Sequence, residues 1–254
     1  MERVFITGAS SGIGAALAQV YSARGAVVGL AARREAELQN LAKSLPGESG
    51  VFPVDVRDAG SLCRAAKSFM GRFGTPDIVI ANAGVSYGTL TDDAADILAF
   101  AEVMDINVTG IVRTFQPFMR AMRTAKSGKL VGIASVAGFR GLPGASAYSA
   151  SKAAAISYME SLRVEMRGSG VAVITLCPGY IETPITAHNP YPMPFILPVE
   201  KAAQKMVRAI DRTQKFTVIP WQMAAIGGIM RCLPNGLYDT LAAKAGRKPR
   251  KSST

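Results

Sequence analysis

Short apolar runs rich in valine and isoleucine alternate with longer helical segments along most of this 254-residue chain, and that alternation leaves few folds open. The runs lie at 4–6, 26–31, 51–52, 77–81, 129–134, 171–177 and 216–219. Several lack polar alternation, as expected of strands covered on both faces of a parallel sheet. Between them, helical periodicity predicts helices over 13–24, 34–45, 59–73, 94–122, 146–167 and 199–211. Gly25, Gly74, Gly128 and Gly168 follow these segments, where glycine can end a helix in a left-handed conformation. Repeated strand–helix alternation implies a doubly wound α/β sheet with right-handed crossovers. With no linker-like tract or fixed-period repeat, the chain reads as one domain, and the proline-rich stretch at 180–198 reads as a lid.

The first strand runs straight into Thr7-Gly8-Ala9-Ser10-Ser11-Gly12-Ile13-Gly14, which opens a helix. Gly8 permits a tight turn, Gly12 a close approach to a pyrophosphate, and Gly14 close packing of helix on sheet. Unpaired N–H groups at the helix start favour an anion. The second strand ends Ala31-Ala32-Arg33-Arg34. An NAD site usually places an acid there, whereas paired guanidinium groups suit a 2′-phosphate. Glu35 is read as an acid in the first turn of the next helix. The expected cofactor is therefore NADP(H) rather than NAD(H).

Tyr148-Ser149-Ala150-Ser151-Lys152 opens a strongly helical segment. Residues four apart share a helix face, so a phenol and an ammonium can point the same way. A neighbouring cation favours phenolate and brings tyrosine closer to acid–base work at neutral pH.

Charge and cysteine usage set outer limits. The net charge is +11, and Lys244, Arg247, Lys248, Arg250 and Lys251 crowd the end of the chain. No aromatic residue interleaves them, so a nucleic-acid surface is not indicated. They read as a solvated, frayed terminus, with an anionic membrane surface as the alternative. Cys63, Cys177 and Cys232 share no C-x-x-C spacing, which argues against disulfides or zinc and fits a reducing cytosol. The N-terminal residues run into a strand with no leader-like stretch. The apolar segment 221–233 is interrupted by Gln222 and Arg231 and is too short to span a bilayer. The expectation is a cytoplasmic protein, at most peripheral to the inner face of a membrane. His188, the single histidine, has no companion ligands and is a poor metal candidate, so no metal is expected.

The ordered set of the Thr7–Gly14 turn, Asn82-Ala83-Gly84, Ser135, Tyr148-x-x-x-Lys152 and Pro178-Gly179 resembles the short-chain dehydrogenase/reductase family up to about Pro220. The resemblance implies a single Rossmann domain with a seven-stranded parallel sheet flanked by helices. Residues 1–220 would carry catalysis, and 221–254 would add a helical extension and basic tail. It also implies roles. Tyr148 would be the general acid/base, Ser135 would hold the substrate oxygen, and Lys152 would lower the tyrosine pKa and bind the nicotinamide ribose. Asn107 would position a water for a proton relay. Besides Gly8, Ser10, Ser11, Gly12, Ile13, Gly14, Arg33 and Arg34, the cofactor would meet Asp55 and Val56 at the adenine. Asn82, Ala83 and Gly84 would form the wall beside it. Pro178, Gly179, Ile181 and Thr183 would flank the nicotinamide. Ala81 departs from the family pattern, which often has an asparagine supporting the strand there.

Val136, Phe139, Leu142, Tyr180 and Ile185 are candidate substrate residues, and with the apolar lid they suggest a lipophilic aldehyde or ketone. Packing against the core or a partner subunit is the competing explanation. The extension after Pro220 is a candidate membrane-docking segment, dimer contact or cap over the pocket. The resulting expectation is an NADP(H)-dependent carbonyl reductase acting on a small molecule as a homodimer or homotetramer. The alternatives are an NAD-dependent alcohol dehydrogenase and a catalytically silent dinucleotide sensor.

Overall fold

In the computed structural model, residues 1–187 and 189–250 are described; His188 and Lys251 lie outside them. Seven strands form one parallel sheet: β1 (Arg3–Thr7), β2 (Val27–Ala32), β3 (Ser49–Pro53), β4 (Ile78–Ala81), β5 (Lys129–Ile133), β6 (Ala172–Pro178) and β7 (Phe216–Ile219). Their order is β3-β2-β1-β4-β5-β6-β7, so the direction of winding reverses between β1 and β4. In open sheets of this kind, ligands bind beyond the carboxyl ends of the strands at such a reversal.

The sheet is covered on both faces, which is why its strands lack polar alternation. Successive side chains of β1 divide between the layers. Val4 and Ile6 join one core with Leu17 and Tyr21 of α1 (Gly12–Ala23) and with Met206 and Ile210 of α7 (Val199–Asp211). Phe5 joins the other core with Phe69 of α3 (Ala59–Phe73), Phe118 of α5 (Gly110–Ala125) and Met159 of α6 (Ser146–Glu165). The Phe5 ring stands 5.4 Å from Phe69 and 4.9 Å from Phe118, centroid to centroid. On α7 the buried residues 202, 203, 206, 207, 209 and 210 form one apolar stripe. Helix α2 (Glu35–Ser44) packs on the same face as α1 through Leu38.

Gly25, Gly74, Gly128 and Gly168 have φ of 80°, 88°, 131° and 76°, so each takes up glycine's freedom where a helix gives way. The helix expected over 94–122 differs from the sequence reading. It begins as α4 (Asp96–Met104), widens into a π-helical turn at Asp105–Thr109, and continues as α5. The extra residue of a π turn displaces one side chain from the regular helix face, a device that periodicity does not register.

Beyond β7 come α8 (Trp221–Cys232) and α9 (Asn235–Ala242). The Arg140 guanidinium lies 4.0 Å from the centre of the Tyr238 ring and donates to the Leu233 carbonyl at 3.2 Å. The Tyr238 hydroxyl donates to the Gly141 carbonyl. The chain then turns back across the molecule. A solvated, frayed terminus does not describe Lys248 and Arg250: Lys248 is half-buried, and Arg250 is ion-paired with Asp93 and Asp96. No helix among the described residues is long and apolar enough to cross a membrane.

Candidate active site

The carboxyl end of β1 enters the glycine-rich turn, and two contacts explain its composition. Gly8 has φ 69°, and a Cβ there would stand 2.8 Å from the Ala83 Cα. A Cβ on Gly14 would overlap the Gly8 carbonyl oxygen and come within 2.6 Å of Asn82 Nδ2. Only hydrogen leaves room for α1 to start so close to the sheet. Asn82 binds the turn directly, with Nδ2 donating to the Thr7 carbonyl at 3.0 Å and the Gly8 carbonyl at 3.3 Å. The strand support that Ala81 lacks is therefore present one residue later.

Helix α1 has an open amino end. Asp58 caps α3 by accepting from Gly60 and Ser61 N–H groups at 2.8 and 3.1 Å. Ser11 stands at the same position of α1 but makes no such bond. Its hydroxyl, and that of Ser10, each accept from Arg34 Nη2 at 2.9 Å. The first N–H groups of α1 are thus left for an anion. A Cβ on Gly12 would stand 3.4 Å from Thr183, so the lid reaches the turn where a pyrophosphate would lie.

Beside this turn, a cleft of about 240 Å3 is lined by Gly8, Ser10, Ser11, Arg33, Arg34, Asp55, Val56, Asn82, Ala83 and Gly84, with Ala32, Val54, Val85 and Ile106. Ala32 leaves no acid at the end of β2. Glu35 does not line the cleft; its carboxylate accepts from Gln39 at 3.0 Å along α2. The Asp55 carboxylate is held below its ordinary range, first by side-chain hydrogen bonds from Arg57, at 2.6 to 3.1 Å. Gly12, Ile13, Gly14, Pro178, Gly179, Ile181 and Thr183 lie outside that lining. The glycines and Ile13 open α1, whereas the other four lead from β6 into the lid.

Four chemistry-bearing side chains converge from three elements. Ser135 follows β5, is buried, and donates to the Pro178 carbonyl at 3.3 Å. Tyr148 and Lys152 lie one turn apart on α6, with the Lys152 nitrogen 5.7 Å from the centre of the tyrosine ring. Burial pushes the Tyr148 phenol above its usual range, and hydrogen bonding with Ser135 opposes that rise. Burial pushes Lys152 down to about 8, and its ammonium donates to the Ile133 carbonyl at 2.9 Å. Asn107, fully buried in the π turn, accepts from Val85 N–H at 2.9 Å. It donates to the Val85 carbonyl at 2.9 Å and to Ser151 Oγ at 3.0 Å. None of the four lines the cleft itself, but a Cβ on its lining residue Gly84 would stand 3.2 Å from Asn107 Oδ1 and 3.7 Å from Lys152 Nζ, so the group begins directly behind that wall.

The short chain dehydrogenase family model matches residues 2–191. A protein of Myxococcus xanthus described as an uncharacterized oxidoreductase is 39% identical over 242 residues, covering 94% of this chain and 95% of that protein. The chain belongs to the short-chain dehydrogenase family. It is therefore an oxidoreductase of a fold that holds a nicotinamide dinucleotide. Two solved structures carry the likeness further. One is an alcohol dehydrogenase from the archaeon Thermococcus sibiricus complexed with 5-hydroxy-NADP, with a TM-score of 0.75 and 26% identity, covering 86% of this chain and 96% of that one. The other is a 3-oxoacyl-[acyl-carrier protein] reductase from Brucella melitensis with bound NAD, with a TM-score of 0.76 and 26% identity, covering 86% and 89%.

In this short-chain dehydrogenase, two buried hydroxyls matter that motif reading passed over. Thr7 Oγ1 accepts the N–H groups of Asn82 and Ala83 at 3.1 and 3.3 Å, tying the ends of β1 and β4 together. Ser151 receives the Asn107 amide and donates to the Tyr148 carbonyl at 2.8 Å. Both lie inside the quoted motifs, so their position was visible but their partners were not. The five substrate candidates separate. Phe139 stacks on Phe216 at 6.2 Å and meets α8 at Gly227. With Leu142 it lines a separate groove of about 900 Å3 against α9, whose lining excludes Tyr148. Tyr180 faces Tyr191 at 6.4 Å, Ile185 is exposed on the lid, and Val136 follows Ser135 in a short 3-10 turn.

Proposed function

We propose that this short-chain dehydrogenase interconverts a carbonyl compound, aldehyde or ketone, and its alcohol, using NADP(H) in preference to NAD(H). The observation that carries the cofactor preference is the end of β2: Ala32 replaces an acid there, and Arg33 and Arg34 line the cleft instead. Arg34 is already oriented by two serine hydroxyls, so less side-chain freedom is lost on gripping a 2′-phosphate.

A bound nicotinamide would supply the hydride in reduction and accept it in oxidation. The glycine turn and the open end of α1 would hold the pyrophosphate, and Pro178 to Thr183 would flank the nicotinamide. In reduction, Tyr148 gives its phenolic proton to the carbonyl oxygen; in oxidation it takes the alcohol proton. Ser135 donates to the same oxygen and steadies the charge that develops there. Lys152 is one helical turn from Tyr148, and its ammonium favours phenolate when turned toward it. Asn107 fixes the loop after β4 through Val85 and would position a water for the proton relay. The remaining apolar lid, with Tyr180 and Ile185, supports a substrate with an apolar body.

Exposed Ile97, Leu98, Val112 and Val164 on α4, α5 and α6 support a homo-oligomer, which sedimentation at micromolar concentration would show as a species larger than a monomer. The test of reaction type is isotope transfer from NADPH deuterated at C4 to a panel of aldehydes and ketones. Deuterium on the carbinol carbon of the product is expected; unlabelled alcohol, or label elsewhere, would overturn the reading.

A further inference from the structure

The last described residues form a strap across the substrate side of the cleft. Gly88, on the loop after β4, donates its N–H to the Pro249 carbonyl at 2.7 Å and pairs in parallel with Arg250. The Arg250 guanidinium is ion-paired with Asp93 and lies 3.0 Å from Asp96 Oδ2. Asp96 is buried and also accepts the Leu90 N–H at 2.8 Å. On the loop after β5, a Cβ on Gly144 would stand 3.0 Å from Arg247 Cβ; at the lid, Gly246 lies against Tyr191. Three loops, from the carboxyl ends of β4, β5 and β6, are joined by one segment.

That anchoring places the Lys248 nitrogen 5.2 Å from the centre of the Tyr148 ring, slightly nearer than that of Lys152 at 5.7 Å. No carboxylate among the described residues pairs with Lys248. Burial alone pushes its pKa down to about 8. On the loop that holds the strap, the Ser86 hydroxyl is also buried without a hydrogen-bond partner among the described residues. A half-buried cation with no anion is unfavourable unless something else supplies the charge.

We propose that Lys248 is an anion-recognition residue of the reaction chamber, and that the substrate is a carbonyl compound bearing a carboxylate on its apolar body. One ammonium matches a monoanion, since a lysine acts as a single point charge rather than a two-pronged fork. The reacting carbonyl lies at Tyr148 and Ser135, and the carboxylate reaches the strap. This specificity rests on the carbonyl–alcohol reading of the same site.

The test compares apolar keto acids with their methyl esters as substrates, using NADPH with the full chain, Lys248→Gln and Lys248→Arg. The wild type is expected to favour acid over ester, and Lys248→Gln to lower that ratio in kcat/KM at least tenfold, mainly through KM. Lys248→Arg should restore most of it. No preference for the acid in the wild type, or equal loss on acid and ester, would overturn the proposal. If neither is turned over, the carbonyl reading has failed on its own. Calorimetry with the matching carboxylic acid lacking the ketone then decides the role of Lys248. Binding to the NADPH complex at least tenfold weaker in Lys248→Gln supports anion recognition, and equal binding or none in the wild type contradicts it.

Discussion

The two halves of the cleft are built by different means. On the cofactor side, backbone and small side chains fix the site: Gly8 and Gly14 sit against the sheet, and Thr7 and Asn82 bridge the ends of β1 and β4. On the substrate side, three loops are held by a distant strap through Arg250, Gly88 and the bare faces of Gly144 and Gly246. The first arrangement tolerates little substitution because backbone groups cannot move aside. The second can be retuned by one side chain, which suits a fold that serves many substrates.

Tyr148 aside, the largest effect should come from Lys152. Lys152→Met is expected to lower kcat by about 10²-fold or more, within the range for losing acid–base assistance. It should also change the pH dependence of stability. The folded chain releases the Lys152 proton near pH 8, whereas the unfolded chain holds it until about 10.5, so this residue adds stability as pH rises through that window. Denaturant midpoints at pH 8 and 10 should therefore rise more, or fall less, in the wild type than in the variant. An identical change in both would contradict the depressed lysine pKa.

Next in size, replacing Arg33 and Arg34 together by alanine should weaken NADPH binding by about 10- to 100-fold, as expected for losing charge-assisted bonds. NADH binding should change far less, and fluorescence titration of the two cofactors reads the difference. Equal weakening of both would mean that the arginines serve the turn rather than the phosphate. Asn82→Ala removes the amide that supports Thr7 and Gly8 and should cost about 1–3 kcal/mol of stability. Urea unfolding would measure it, and a change within error would show that the turn holds without the amide. Smallest is Arg250→Gln, which should release the strap without disturbing the glycine turn. Faster hydrogen exchange at the Gly88 amide, with unchanged exchange at Asn82 and Ala83, would confirm that the two halves are held independently.

This division also explains what the sequence disclosed. The turn at 7–14, the arginines at 33 and 34 and the pair at 148 and 152 are local patterns, so their positions could be picked out from spacing. The sheet was legible because buried strands are apolar throughout. The bulge at Asn107 was not, since helical periodicity continues on either side of the π turn. Phe139 and Leu142 were apolar and adjacent to Ser135, yet one faces Phe216 and α8 and both line the groove by α9. The basic terminus was legible as charge alone. Its pairing of Arg250 with Asp93 and Asp96 joins residues more than 150 positions apart, for which spacing carries no signal.

The most direct test of the central claim is steady-state carbonyl reduction with NADPH and with NADH, measured for the wild type and Tyr148→Phe. Higher kcat/KM with NADPH, and a loss of about 10²- to 10⁴-fold in the variant with NADPH affinity retained, is the expected result. Equal use of both cofactors would contradict the role given to Arg33 and Arg34, and a fully active Tyr148→Phe would contradict the role given to the phenol.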